Sequence, residues 1–220
     1  QAQLAELLWA MDEVIERERE LEQNLEISFR SLSKKYFKTK VAEFVPLSDY
    51  SEVIMGQSPP GNSYNQNGEG TPLINGPTEF TNRYPVKKQW TTQPSKFCED
   101  KDILLCVRGS TTGRMNIAND HYCIGRGVAA IRGKSDIKTD FLEFVLRYNV
   151  DEIMRVATGS TFPNIDSKTL KAIKIPKVNL DTQDYIIQKL QELDQGKEIC
   201  ERKILTSQNL QKSIINQVFT

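Results

Sequence analysis

The chain has 220 residues, 38% of them hydrophobic, and its formal charges cancel to zero. That length can hold one domain with a real core plus appendages. No apolar run approaches eighteen residues and no stretch of these residues reads as a signal peptide, so a soluble, cytoplasmic protein is expected.

The first forty residues read as one long amphipathic helix. Leu4, Met11, Leu25 and Leu32 repeat every seven. Leu7, Val14 and Leu21 form a partner row, and Leu8, Ile15, Phe29 and Tyr36 widen the stripe. The pattern fades after Phe37, and residues 41–180 read differently. Glu52-Val-Ile-Met is a predicted short strand. Residues 57–70, rich in Pro, Gly, Asn and Ser, read as a surface loop. Short strands are predicted at Thr71-Pro-Leu-Ile, Ile103-Leu-Leu-Cys-Val-Arg, Tyr122-Cys-Ile and Val128-Ala-Ala-Ile. Residues 138–155 have helical spacing with a break near Asn149. A turn at 159–165, a short helix at 167–172 and a last strand closed by Pro176 complete the middle. Residues 181–220 form a second long helix. Ile186, Leu190, Leu193, Ile204, Ile214 and Val218 make its stripe, with Lys197, Cys200, Ser207 and Gln211 between them.

The two helices resemble each other. Offset by 182 residues, Gln1 falls on Gln183, Asp12 on Asp194, Ser31 on Ser213 and Phe37 on Phe219. One helix runs into the middle segment and the other runs out of it. They can therefore pair only antiparallel, as a coiled coil roughly 54 Å long. Glu18 with Arg202 and Arg19 with Glu201 are the expected register-setting pairs. The expected fold class is α+β: a domain of short strands and a few helices, carried on an antiparallel coiled coil.

Cys98, Cys106, Cys123 and Cys200 lack CxxC spacing and read as reduced thiols. With His121 as the sole histidine, no metal site is expected, and no cofactor. Glu99, Asp100 and Asp102 could mimic a nuclease site, but no matching lysine pattern accompanies them, and they read as surface acids.

Charge in the middle is uneven. Between Phe80 and Ser135, ten Lys and Arg stand against four Asp and Glu, an excess of six positive charges. Lysines hold phosphates, while Arg, Asn and Gln can make paired bonds to base edges. The candidate nucleic-acid-binding residues are Arg83, Lys87, Lys88, Gln89, Arg108, Ser110, Thr111, Arg114, Asn116 and Arg126, joined by Ser160, Thr161 and Asn164 from the later turn. The sharpest local signal is Val107-Arg-Gly-Ser-Thr-Thr-Gly-Arg, followed by Tyr122-Cys-Ile-Gly-Arg-Gly. Glycines admit close backbone approach and Arg suits phosphate or base, yet GK[ST] is absent, so this is no P-loop. A Gly-closed hairpin with solvated arginines would carry the same letters.

These stretches resemble the specificity subunit of Type I restriction–modification systems. Leu47-Ser-Asp-Tyr-Ser-Glu-Val-Ile-Met-Gly-Gln-Ser-Pro-Pro looks like the start of its target-recognition domain. Lys101 to Arg114, Tyr122 to Gly127 and Thr158-Gly-Ser-Thr-Phe-Pro-Asn-Ile look like its later motifs. Ile173-Lys-Ile-Pro-Lys-Val-Asn-Leu-Asp-Thr-Gln resembles the passage into a conserved helix. It departs from the usual Pro-rich, Glu-Gln form at Val178-Asn179 and Asp181-Thr182. Ala5 to Val14 resembles the start of the central conserved helix.

The resemblance implies a division at 1–40, 41–180 and 181–220: conserved helix, recognition domain, conserved helix. That is a C-terminal half, with residues expected upstream of Gln1. It implies a non-catalytic subunit that reads one half of a split site on double-stranded DNA. Methyltransferase subunits would dock on the helices, and the restriction and translocase subunit would join indirectly. Leu4, Leu8, Met11, Ile15, Leu25 and Leu32, with Ile186, Leu190, Leu193, Ile204, Ile214 and Val218, would form the coiled coil and partner surface. A homodimer of the half-subunit stays open. So do a recognition module of a Type II-like fused or two-gene restriction–methylation enzyme and a coiled-coil scaffold with a non-DNA domain.

Overall fold

The computed structural model describes residues 2–39, 41–157 and 163–219, without the side chains of Gln3, Val156, Val218 and Phe219. Ser160, Thr161 and the Val218 side chain lie outside the described residues. The chain divides into two units, one of Gln1–Thr39 with Tyr185–Thr220, the other of Lys40–Asp184.

In chain order, α1 (Ala2–Lys34) ends in a π turn (Lys35–Thr39). Next come β1 (Phe44–Pro46), α2 (Leu47–Tyr50), β2 (Ser51–Met55), β3 (Tyr64–Asn65), β4 (Thr71–Ile74), β5 (Trp90–Thr91) and β6 (Phe97–Cys98). They are followed by β7 (Ile103–Cys106), β8 (Met115–Ile117), β9 (Tyr122–Ile124) and β10 (Val128–Gly133). Then α3 (Thr139–Tyr148), α4 (Val150–Val156), α5 (Ser167–Ala172), β11 (Lys174–Pro176) and α6 (Leu180–Phe219) close the chain.

In the first unit α1 and α6 pair antiparallel. Partner numbers fall on one helix as they rise on the other: Glu26 with Lys197, Glu18 with Lys203 at 2.9 Å, Asp12 with Gln211 at 2.7 Å. The α6 stripe is the expected one, with Ile186, Leu190 and Cys200 buried and Leu193, Ile204 and Ile214 half-buried. On α1, Ile15 and Phe29 are buried and Leu4, Leu8, Met11, Leu25 and Leu32 are half-buried. The expected partner row does not join them: Leu7 and Val14 are 48% exposed and Leu21 is 47% exposed. Facing one partner helix, the seam takes the i+4 neighbour of each leucine, not the i+3 neighbour on the other flank.

The expected charge register is also off by one residue. Lys203, not Arg202, meets Glu18, and Arg19 reaches Glu16 on its own helix at 3.5 Å. One residue turns a helix by about 100°, enough to exchange a facing side chain for a solvated one.

The second unit holds two larger sheets and a two-stranded one. Of the larger two, one is four-stranded and antiparallel, in the order β2-β10-β7-β8; the other is five-stranded, in the order β3-β5-β4-β9-β6, with β4 and β9 parallel. A core cluster of buried residues, including Ile74, Phe80, Leu104, Cys106, Tyr122, Ile124, Val128 and Ala130, draws on both sheets. Along β7 and β10 the alternate residues Ile103, Leu105, Ala129 and Ile131 are also fully buried, on the face toward α3. Covered on both faces, β7 reads as an unbroken apolar run. The helical stretch at 138–155 is broken at Asn149, as its spacing predicts. The loop at 57–70 contains the short strand β3 and is anchored by Ser63, whose hydroxyl lies 2.7 Å from that of Thr91. β5, β6 and β8 have two or three residues each, too few to show a period.

The acidic trio is split by burial. Asp102 is 1% exposed and takes two bonds from Arg132, at 2.7 and 2.8 Å, and a third from the Glu99 N–H at 2.8 Å. It is a structural carboxylate, not the surface acid expected. A third small sheet joins β1 to β11 antiparallel, with Phe44 opposite Pro176 and Pro46 opposite Lys174.

Candidate nucleic-acid interface

Four stretches far apart in sequence meet where β7 ends and β10 begins. Beyond Cys106 the chain continues as Val107, whose N–H bonds the Gly127 carbonyl at 2.9 Å and whose carbonyl accepts from Ile165 N–H at 2.9 Å. Arg108 follows, bridged through its backbone to Asn164. The turn then folds back to β8 through Gly109 and Gly113, at φ 85° and 89°, a region glycine enters without penalty. Gly109 N–H and the Thr112 hydroxyl both bond the Pro163 carbonyl, at 3.0 Å. From the other side Gly56 and Gln57 donate backbone N–H bonds to Val128 and Ile124, and the Ser58 hydroxyl accepts from Arg126 N–H at 3.4 Å. A Cβ on Gly56 would lie 2.2 Å from the Gly125 carbonyl oxygen, so only glycine lets these backbones meet.

Residues 56–58, 107–113, 125–127 and 163–165 therefore form one end of the unit. Arg108, Ser110 and Arg126 are exposed there, and Thr111 and Asn164 are half-buried. Among the described residues neither Arg108 nor Arg126 has a carboxylate partner.

The remaining candidates group elsewhere, on the segment 77–89 and the strand beneath it, and most are tied to the protein. Arg83 lies 3.6 Å from Glu143, whose side chain is 7% exposed, and also reaches the Tyr84 hydroxyl at 3.3 Å. Lys87 binds Asp120 at 2.6 Å and holds that carboxyl below its ordinary range. Lys88 donates to the Thr78 carbonyl at 2.6 Å, and Gln89 accepts from Asn75 at 3.2 Å.

Arg114 is exposed, with its guanidinium on the Phe80 carbonyl at 3.2 Å. Asn116 is 2% exposed; its amide takes the Thr81 N–H and gives to the Thr81 carbonyl. That geometry does not fit the expectation that Asn116 faces a base, because the whole amide is used to clamp the segment onto β8. Ser58 lies in the loop from Gln57 to Asn67, which the sequence reading offers for added hydroxyl and amide contacts, whereas Thr112 is not singled out there. The second of two adjacent threonines carries no mark of being the one that pins the turn.

Chemically, this end offers guanidinium and hydroxyl donors. Burial pushes the Cys106 thiol up to about 11 and the Cys98 thiol up to about 12, so both stay protonated near neutrality. No group of side chains suited to a metal ion occurs among the described residues, and no described helix is long and apolar enough to cross a membrane.

The expected coiled-coil residues, apart from Val218, are at least half-buried, and different apolar side chains remain outside. On α1 these are Leu7, Val14 and Leu21 together with Trp9, 72% exposed, and Ile27, 65% exposed.

Comparison with known proteins converges on one family. The profile of the Type I restriction modification DNA specificity domain matches residues 40–207. A curated protein of Methanocaldococcus jannaschii, named as the MjaX type I restriction enzyme specificity subunit, is 38% identical over 172 residues, covering 78% of this chain and 40% of that protein. The crystal structure of the HsdS subunit from Thermoanaerobacter tengcongensis superposes with a TM-score of 0.79 at 28% identity, covering 99% of this chain and 56% of that one. A chain from a structure described as the basis of complex assembly and conformational transition in the type I R-M system gives the same score and identity, covering 99% and 57%. The chain thus spans roughly half the length of the relatives it matches. With the profile matched across both sheets and into α6, this chain belongs to the Type I restriction modification DNA specificity domain family.

Proposed function

We propose that this chain reads one half of a split target on double-stranded DNA, as the recognition part of a Type I restriction–modification complex. The observation that carries the reading is the convergence of residues 56–58, 107–113, 125–127 and 163–165 on one end of the sheets, with Arg108 and Arg126 exposed and without carboxylate partners there. These are the stretches by which the sequence resembles the family. Residues 40–184 carry the recognition, the helices on either side are the conserved ones, and the chemistry of methylation and cleavage belongs to other subunits. Methyltransferase subunits dock on the helices. Support for docking comes from the apolar row Leu7, Val14 and Leu21, which the intramolecular seam leaves exposed.

The test is duplex binding by the purified chain. The affinity should fall steeply with salt, by about one unit of log–log slope per phosphate contacted. A preferred sequence should compete better than a scrambled one. No methyl transfer from S-adenosylmethionine is expected without an added partner. Salt-insensitive binding, or none, would reject the reading.

A further inference from the structure

We infer that Arg108 and Arg126 each read a guanine, so that the half-site of this unit carries two guanines within about eight base-pair steps; this deepens the DNA-recognition reading and rests on it. The two arginines sit one residue beyond the bonded pair Val107 and Gly127. A bonded antiparallel pair separates Cα atoms by about 5.5 Å and each further residue adds at most 3.8 Å, so their Cα atoms lie within about 13 Å. Each extended arginine adds a reach of about 7 Å and base pairs rise about 3.4 Å, so both guanidiniums act within about eight steps of one duplex.

Each position is fixed by its neighbours. Arg108 is bridged to Asn164, and Arg126 bonds Ser58 through its backbone. Their backbones are held while both residues remain exposed. Arg83 and Arg114 make the contrast, since one guanidinium faces Glu143 and the other the Phe80 carbonyl. Among side chains with Arg geometry, the fork matches O6 and N7 of guanine in the major groove and no other base as well. Ser110 and Thr111 beside them accept or donate, and so add bonds without choosing a base.

The experiment selects bound duplexes from a randomised library with the full chain. Wild type, Arg108→Lys, Arg126→Lys and Arg114→Lys are compared, and lysine keeps the charge but loses the fork. The wild-type sequence should contain two guanines within the stated window. Arg108→Lys and Arg126→Lys should each lose one of them, a different one, with affinity for the selected site falling roughly tenfold to a hundredfold. Binding to a scrambled duplex should stay near wild type, and Arg114→Lys should keep the full preference.

A second measurement changes the DNA instead of the protein. Replacing each guanine by 7-deazaguanine should weaken the wild type and add nothing to the loss in the matching lysine variant. An enriched sequence without the two guanines would overturn the inference and leave the DNA reading intact. Equal losses on selected and scrambled duplexes would also overturn it, because they mark phosphate contacts. A wild-type chain that binds no duplex would overturn the DNA reading, and the inference with it.

Discussion

Asp102 and Arg132 show how unevenly two members of one ion pair can matter. Asp102 is 1% exposed, whereas the Arg132 side chain is 36% exposed. Removing Asp102 leaves a cation that water can still reach. Removing Arg132 strands a buried carboxylate with one backbone N–H for company. Arg132→Ala should therefore cost about 3 kcal/mol in a denaturant melt, and Asp102→Ala distinctly less. Equal losses would mean that water reaches Asp102.

The same contrast limits what residue types reveal. Arg83, Arg108, Arg126 and Arg132 look alike as letters between Phe80 and Ser135, and all four count toward one positive field. Glu143 lies on α3 and Asp102 thirty residues before its partner, so nothing local marks Arg83 or Arg132 as tied to a carboxylate. The glycines beside Arg108 and Arg126 were legible as points of close approach, because no other residue suits such backbone.

At the scale of the element, α1 and α6 are held by a seam that is apolar toward both ends and charged in its middle. Lys197 holds Glu26, and Lys203 holds Glu18, below the ordinary glutamate value of 4.5. Carboxyls depressed on folding contribute stability above their unfolded value, and that contribution is lost as pH falls through the folded one. The helical pair should thus weaken in the acid range below about 4.5, and Glu26→Gln should flatten that dependence. Far-UV circular dichroism melts between neutral pH and pH 3 would show it, and a Glu26→Gln curve as steep as wild type would count against it.

Length is what made these helices legible. With 33 and 40 residues, they give the 3.6-residue period room to show. The choice between the rows at Leu7 and at Leu8 was not legible, since both fit the period and only the partner's position decides. The strands obey the same logic in reverse. β7 and β10 are long enough to read, while β5 and β8 exist because β4 and β7 are there to pair with.

For the whole molecule, each unit has its own interior. The second owns its two larger sheets, their shared core, the α3 layer and the small β1–β11 sheet. A fragment of residues 41–184 should therefore melt cooperatively by itself, with near-native circular dichroism. A fragment that stays unfolded would show that the helices supply part of its stability. The pairing of β1 with β11 then has a consequence for descent. Phe44 and Pro176 sit on facing strands, so everything between them is a loop whose two ends are already neighbours. Any domain whose ends lie equally close can replace it without moving the chain on either side. A crossover spanning that loop would exchange everything between the two strands and leave every residue of the helices unchanged.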